Sequence, residues 1–309
     1  MADRRLQVFH TVARLLSFTK AAEQLCMTQP AVTFQVKQLE EHFNTRLFER
    51  SHGSIALTPA GCLVRDYAQR ILAMSEELDT RVADLTGAVA GALLLGASTT
   101  IAEFILPQIL GEFKAMHPEV QAHMTVANSE TIVNRVADHT IDVGLIESPS
   151  YLPSLHNEVC CDDELVLICA PTHALSQRRA VGAEDLVGVP IVRREPGSGT
   201  REFTDNYLRE CGVAPEDLNQ LMELGSPEAM KGVVETGIAV AIVSRATIVK
   251  ELKLGLLVAL PLAPRLMRTL SVVHLKDKFR SRLLTTFVEF AMERMRALAA
   301  GEPPVRSSV

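Results

Sequence analysis

The fold of this chain follows from residues 17–39, which read SFTKAAEQLCMTQPAVTFQVKQL. The stretch predicts two short helices joined by a tight turn, because Thr19 and Thr28 can each cap a helix start and Pro30 is tolerated in a first helical turn. Apolar residues of the second helix recur at helical spacing and predict one buried stripe, made of Val32, Val36 and Leu39.

The outward face of the second helix is neutral and polar with a single cation, which suits the major groove of DNA. Amides and hydroxyls there can bond base edges, Phe34 can contact a thymine methyl group, and Lys37 can meet a phosphate. The same spacing also fits an ordinary αα-hairpin with a polar face. We predict a DNA-binding hairpin whose contacts come from Thr19, Thr28, Gln29, Pro30, Thr33, Phe34 and Lys37.

The residues around the hairpin extend it into a longer gapped pattern, with LFER at residues 47–50 and LTPAG at residues 57–61. Residues 50–58 between them predict a β-hairpin that turns at Gly53. The whole pattern resembles the winged helix-turn-helix of LysR-type transcriptional regulators. The resemblance implies that Arg50 and His52 in the wing face phosphate, that the operator is dyad-symmetric double-stranded DNA, and that the protein contacts RNA polymerase.

Composition predicts a globular protein of at least two domains, with 309 residues of which 47% are apolar and 22% charged. No apolar run is long enough for a membrane span, and no secretion signal is visible, so we expect a cytoplasmic protein without a membrane partner. The net charge is −6, yet residues 1–58 hold seven Lys and Arg against five Asp and Glu. A mildly basic head on an acidic body fits DNA binding.

The six cysteines lie at no metal-ligand spacing and are expected to be free thiols in a reducing cytosol. No Cys–His or Ser–His–Asp arrangement, metal cluster or dinucleotide fingerprint is legible, so we predict no catalytic residue, no metal and no cofactor, and a protein that is not an enzyme. Two alternatives remain beside the DNA-binding regulator. They are a cytoplasmic solute-binding sensor and a regulator that senses redox state through its thiols.

A long helix is predicted from Pro59 to about Gly87. Positions at alternating steps of four and three form a seam like that of a coiled coil, which is apolar except at Ser75: Val64, Ala68, Ile71, Ser75, Leu78, Val82, Leu85 and Val89. The seam fits either packing on the same chain or pairing with a second copy. We favour pairing, which predicts a homodimer or homotetramer that places two recognition helices on dyad-related half-sites.

From Gly91 the pattern alternates between strands and helices, which predicts a parallel sheet with right-handed crossovers. A single helix is expected over 101–116, and separate strands over 164–170, 256–260 and 269–275. The resemblance implies that the last strand and the last helix return to the first lobe. The lobes would then form a periplasmic-binding-protein-like effector domain, joined by crossing strands near 161–164 and 264–268.

The predicted fold class is a multidomain α/β protein with a winged helix-turn-helix, a dimerisation helix and a two-lobed effector domain. The expected boundaries are 1–58 for the DNA-binding domain, 59–90 for the linker helix, 91–300 for the effector domain and 301–309 for a flexible tail. Within the effector domain we expect lobe I at about 91–161 and 268–300, and lobe II at about 162–267.

Parallel sheets bind ligands at the carboxyl ends of strands, near helix N-termini. Three such junctions are rich in small polar residues: 98–100, 128–129 and 195–201. The third, EPGSGTR, suits a carboxylate, sulfate or phosphate, because its glycines allow close approach and Ser198, Thr200 and Arg201 add donors. Helix capping without any ligand is the alternative function for each loop.

The LysR resemblance implies that several of these residues line an effector cleft: Ser98, Thr99, Thr100, Ser129, Ser148 and Thr200, with Ser226 and Glu228 as further candidates. Glu147 departs from some relatives, which place a cation there to bind dicarboxylates. A carboxylate would repel a dianion unless Arg201 or another cation compensates. We therefore predict a transcriptional regulator whose operator binding is modulated by a small anionic or zwitterionic metabolite.

Overall fold

The computed structural model describes residues 3–51, 54–85, 89–276 and 281–299, and divides the chain into two compact units, Met1–Ala88 and Val89–Val309. Among these residues, no helix combines the length and apolar character that crossing a bilayer requires. The tail at 301–309 lies outside the described residues.

The first unit is a winged helix-turn-helix followed by a long helix. Its elements are α1 Arg4–Leu15, α2 Phe18–Gln24, α3 Gln29–Phe43, β1 Phe48–Ser51, β2 Ser54–Leu57 and α4 Pro59–Leu85. Thr28 caps α3 as predicted, since its hydroxyl accepts the Ala31 N–H at 3.4 Å. The predicted Thr19 cap is wrong: the cap of α2 is Ser17, two residues earlier, whose hydroxyl accepts the Lys20 N–H at 3.2 Å.

The core of this unit forms where the three helices meet the wing. The Phe48 ring packs against Phe9 and Phe18 at centroid distances of 5.3 and 5.6 Å, and Leu47 is fully buried. The Phe43 side chain, by contrast, is 44% exposed. It is the last residue of α3, and Asn44 then turns the chain through a left-handed conformation.

The second unit is built on one eight-stranded sheet. Its strands are β3 Gly91–Ser98, β4 Val120–Ala127, β5 Val143–Ile146, β6 Leu155–Cys169, β7 Ile191–Arg193, β8 Gln220–Glu223, β9 Val240–Ser244 and β10 Val258–Leu275. Its helices are α5 Thr99–Phe104, α6 Leu106–Met116, α7 Ser129–Ala137, α8 Gly199–Glu210, α9 Pro227–Glu235, α10 Val249–Leu254 and α11 Arg282–Ala299.

The strand order is β4-β3-β5-β10-β6-β9-β7-β8, with parallel pairing within each outer group of three strands. The central pair, β6 and β10, is antiparallel to its neighbours and to each other. We call the two ends the first lobe (β3–β5, α5–α7 and α11) and the second lobe (β7–β9 and α8–α10). The predicted fold class, a winged helix-turn-helix followed along the chain by two α/β lobes, is confirmed.

Two element predictions need correction. The separate strands expected at 164–170, 256–260 and 269–275 belong to the two long strands β6 and β10, which run through both lobes. The helix expected over 101–116 breaks at Ile105, because Pro107 lacks the N–H that would continue it. α6 therefore starts with its proline in the first turn.

Candidate functional site: a recognition helix and an inter-lobe cleft

The α3 helix presents the predicted DNA-contacting face to solvent. Gln29, Pro30 and Lys37 are exposed, Thr33 is half-buried, and the Phe34 ring is 57% exposed. Lys37 lies 3.6 Å from Glu41 one turn later, in an ion pair open to solvent. Such a pair contributes little to stability, so the Lys37 ammonium can exchange Glu41 for a phosphate.

The remaining predicted DNA contacts are placed only in part. Thr19 and Thr28 are exposed at the starts of α2 and α3. Arg50 belongs to β1, where its backbone pairs with Ile55 across the wing. His52, at the predicted wing tip, lies outside the described residues.

In the second unit, Glu147 follows β5 and is buried where the two lobes meet. One oxygen, Oε1, accepts the Ser98 hydroxyl at 2.8 Å and the Thr100 N–H at 3.2 Å. The other, Oε2, accepts the Thr200 hydroxyl at 3.1 Å and an Arg268 N–H at 2.5 Å. Three of the predicted effector-binding residues thus form an anion cradle around a carboxylate of the same chain.

The Glu147 carboxylate is ionised in this cradle. Burial raises the pKa of Glu147, but the Arg268 guanidinium and the hydrogen bonds from the cradle outweigh that effect and lower it to about 2. Arg268 is itself held in place, since its Nε donates to Asp163 at 2.8 Å and Asp163 accepts the Ser244 hydroxyl at 2.7 Å. The cation that compensates Glu147 is therefore Arg268, and not Arg201.

Arg201 is committed to other partners within the second lobe. Its Nη1 donates to Glu223 at 2.7 Å and to the Arg194 carbonyl at 2.8 Å. Arg194 in turn reaches the Thr99 hydroxyl at 3.4 Å. Thr99 thus contacts the second lobe but not the cradle.

A cavity of about 670 Å³ opens beside the cradle, between the first and second lobes. Four predicted effector residues line it: Ser129, Ser148, Ser198 and Arg201. Within the described part of the chain, the Ser198 hydroxyl is buried without a hydrogen-bond partner, and Ser198 precedes α8 without its side chain capping that helix. The cavity wall therefore contains a residue whose unsatisfied hydroxyl is buried just beneath the surface, next to the N–H groups of a helix start.

Ser226 and Glu228 do not line this cavity. Glu228 is exposed and accepts a hydrogen bond from the buried Lys231 ammonium at 2.7 Å. Lys231 also donates to Glu251 at 2.8 Å, and lies 4.8 Å from the ring centroid of Phe104 in the first lobe. Lys231, its two carboxylate partners and Phe104 form a separate inter-lobe contact.

Comparison with known proteins connects both units to one family. Residues 4–62 match the protein family described as bacterial regulatory helix-turn-helix protein, lysR family. Residues 86–296 match the family described as LysR substrate binding domain. The chain belongs to the LysR family of transcriptional regulators. The family predicted from the helix-turn-helix pattern is thereby confirmed.

Relatives of this LysR-family regulator match along nearly the whole chain. A probable RuBisCO transcriptional regulator of Cyanidioschyzon merolae is 34% identical over 92% of this chain and 95% of its own. The CcmR regulatory domain of Synechocystis PCC6803, solved in complex with 2-PG, is 29% identical, covers 66% of this chain and 96% of its own, and superposes with a TM-score of 0.61. A full-length OxyR variant from Pseudomonas aeruginosa shares the fold, with a TM-score of 0.70, 20% identity, and coverage of 100% of this chain and 99% of its own.

Two residues of the regulator's cleft escaped prediction from the sequence. Arg268 lies in a predicted crossing strand and Asp163 in the other, yet neither was assigned to the site. The sequence signal for Arg268 was its position directly before TLSVVHL, a mostly apolar stretch typical of a buried strand. A charged side chain in a buried strand requires a partner. Glu147 was noted as a departure, and its partner is this arginine.

Proposed function

We propose that this LysR-family regulator binds a small metabolite with one anionic group in the cavity beside Glu147, and that the ligand changes its affinity for operator DNA. The protein would act in the cytoplasm as a homodimer or homotetramer, by binding rather than by catalysis, and in contact with RNA polymerase. The observation that carries the proposal is the Ser198 hydroxyl in the wall of the 670 Å³ cavity, which has no partner among the described residues.

The charges around the cavity define the chemical class of the ligand. Arg201 and Arg209 supply positive charge, while Glu130, Glu202 and Asp205 supply negative charge. A ligand with one anionic group and at least one hydrogen-bond donor matches this mixture. A second negative charge on the ligand would meet these carboxylates, which disfavours a dianion. The 2-PG in complex with the CcmR domain provides one compound to compare with such ligands.

The alternative of a thiol redox sensor finds no support in the cysteines of the central strands. Burial raises the pKa of Cys160 to about 12 and that of Cys161 to about 11. Burial also raises the pKa of Cys169. Because the thiolate is the reactive form, these three thiols are poorly suited to sensing.

The test uses the full chain and Ser198→Ala. A buried hydroxyl without a partner costs about 1–3 kcal/mol, so we expect the variant without ligand to be at least as stable as the wild type. We also expect it to bind its ligand at least fivefold more weakly. Isothermal titration with glycine and acetate measures the affinity for ligands with one anionic group, inorganic phosphate serves as the dianionic comparison, and 2-PG is tested beside them. Fluorescence anisotropy on DNA from upstream of the protein's own gene measures the effect on operator binding.

Ser226→Ala is the matched control, since Ser226 is a comparable serine outside the cavity. It should leave the ligand affinity unchanged. Equal binding by Ser198→Ala and the wild type would contradict the proposed position of the ligand. Tighter binding of inorganic phosphate than of glycine or acetate, or an absence of binding by all these compounds, would contradict the proposed ligand class.

A further inference from the structure

Three potential metal ligands meet on the central strands, away from the cavity. His156 and Glu158 are two residues apart on β6, and therefore point to the same face of the sheet. His274 lies directly opposite His156 on β10. The strand pairing thus brings two imidazoles and one carboxylate together on a single face.

The distances among the three side chains match a common metal ion. His274 Nε2 is 3.0 Å from Glu158 Oε1, and His156 Nε2 is 4.0 Å from the same oxygen. All three ligand atoms lie within 4.8 Å of one another. Tetrahedral ligands at Zn²⁺ bond lengths are separated by about 3.4 Å, so small side-chain rotations suffice to bring all three onto one ion.

The second nitrogen of His274 is oriented for this role. Its Nδ1 lies 2.8 Å from the Leu275 carbonyl oxygen, which can only accept a hydrogen bond, so Nδ1 carries the proton. Nε2 is then the nitrogen that faces Glu158 Oε1, and it can bind an ion there once the ion displaces the proton shared with Glu158. Metal-binding histidines are held in the same way, with the other ring N–H bonded to a carbonyl or carboxylate.

We propose that His156, Glu158 and His274 bind a divalent transition-metal ion of the Zn²⁺ type. Two imidazoles with one carboxylate suit such ions, whereas Mg²⁺ and Ca²⁺ prefer oxygen ligands. Three protein ligands leave a fourth position for water. The ion would link β6 to β10.

Isothermal titration of the chelator-stripped full chain with ZnCl₂ tests the site. We expect one ion per chain in this site with a micromolar or lower Kd, and no saturable binding of MgCl₂. His274→Ala and His156→Ala should each weaken zinc binding at least tenfold. Because His274 is buried and its variant can fail to fold, the exposed His156 provides the variant that decides the question.

His123→Ala is the matched control, because His123 is an exposed histidine on β4 of the same sheet. It should bind zinc as the wild type does. The absorption spectrum of the Co²⁺ form distinguishes this site from binding by the cysteines, since thiolate ligands add a charge-transfer band. Equal zinc affinity in His156→Ala and the wild type, a thiolate band that accounts for the bound ion, or no zinc binding at all would each overturn the proposal.

Discussion

Glu147 is a fully buried carboxylate that depends on a cation from a distant part of the chain. Glu147→Gln keeps the size of the side chain but removes the charge opposite Arg268. Removal of one partner of a buried pair costs about 3–5 kcal/mol, and the remaining bond to Asp163 reduces this. We expect the free energy of unfolding at pH 7 to fall by about 2–3 kcal/mol, as measured by urea unfolding.

The same variant should change the pH dependence of stability. Because the pKa of Glu147 is lowered to about 2 in the folded chain, its contribution is present above the unfolded pKa near 4.5 and is lost as the pH falls toward 2. The wild type should lose about 3 kcal/mol over this range through Glu147 alone, and Glu147→Gln should not. Glu130→Gln, which alters an exposed carboxylate, is the control. If both variants follow the wild-type curve, the ion pair does not stabilise the fold.

At the scale of elements, we predict that α3 contacts bases through Thr33 and phosphate through Lys37. Thr33→Ala should lower the preference for operator over random DNA, by about 1–3 kcal/mol if the hydroxyl bonds a base edge. Lys37→Ala should weaken binding to all DNA and reduce the slope of log affinity against log salt by about one. Fluorescence anisotropy on operator and shuffled duplexes at several salt concentrations measures both effects. Equal losses on the two duplexes for Thr33→Ala would exclude base reading.

The α4 helix changes its role along its length. Val64 and Ala68, which we predicted in a pairing seam, instead pack on the core of their own unit. The predicted seam residues Ile71, Leu78 and Val82 remain exposed, and they form an apolar row with Leu63, Tyr67 and Met74 at spacings of three and four. An exposed apolar row of this length is typical of a helix that pairs with a second copy.

Leu78→Asp should therefore shift the protein from dimer to monomer, because it places a charge in the apolar contact. Analytical ultracentrifugation at micromolar concentration measures the change. Gln69→Asp introduces the same side chain at an exposed polar position of α4 and should leave the oligomeric state unchanged. A wild type that is monomeric, or a Leu78→Asp variant that remains dimeric, would contradict pairing through this row.

At the scale of the whole molecule, the second unit depends on a close contact between its lobes. A Cβ on Gly199 would lie 2.8 Å from the Glu147 Cβ and 3.1 Å from its carbonyl carbon. Gly199→Ala should therefore push α8 away from the first lobe and lower the free energy of unfolding by about 1–3 kcal/mol. Gly232→Ala, in open space on α9, should instead stabilise by up to about 1 kcal/mol. Urea unfolding of both variants measures the difference, and equal effects would exclude a steric cause.

Local patterns in the sequence predicted much of this molecule, because helical and strand periodicities involve neighbouring residues. The helix-turn-helix and the alternating lobes follow from such patterns. The long strands β6 and β10 do not, since charged residues at 162–164 and prolines at 261 and 264 interrupt their apolar runs. The contacts that depend on these strands were equally hidden. Arg268 meets Glu147 across 121 residues, and His274 meets Glu158 across 116.

The carboxylate in the anion cradle is attached to the chain that surrounds it. A free metabolite fills a site in proportion to its concentration in the cell, whereas a tethered group has a fixed effective concentration, in the millimolar range or above. A fall or a rise in the concentration of a metabolite therefore cannot empty or fill this cradle. The position next to Ser98, Thr100 and Thr200 is therefore always occupied by the Glu147 carboxylate. In the proposed function, only the occupancy of the neighbouring cavity changes with the concentration of a metabolite.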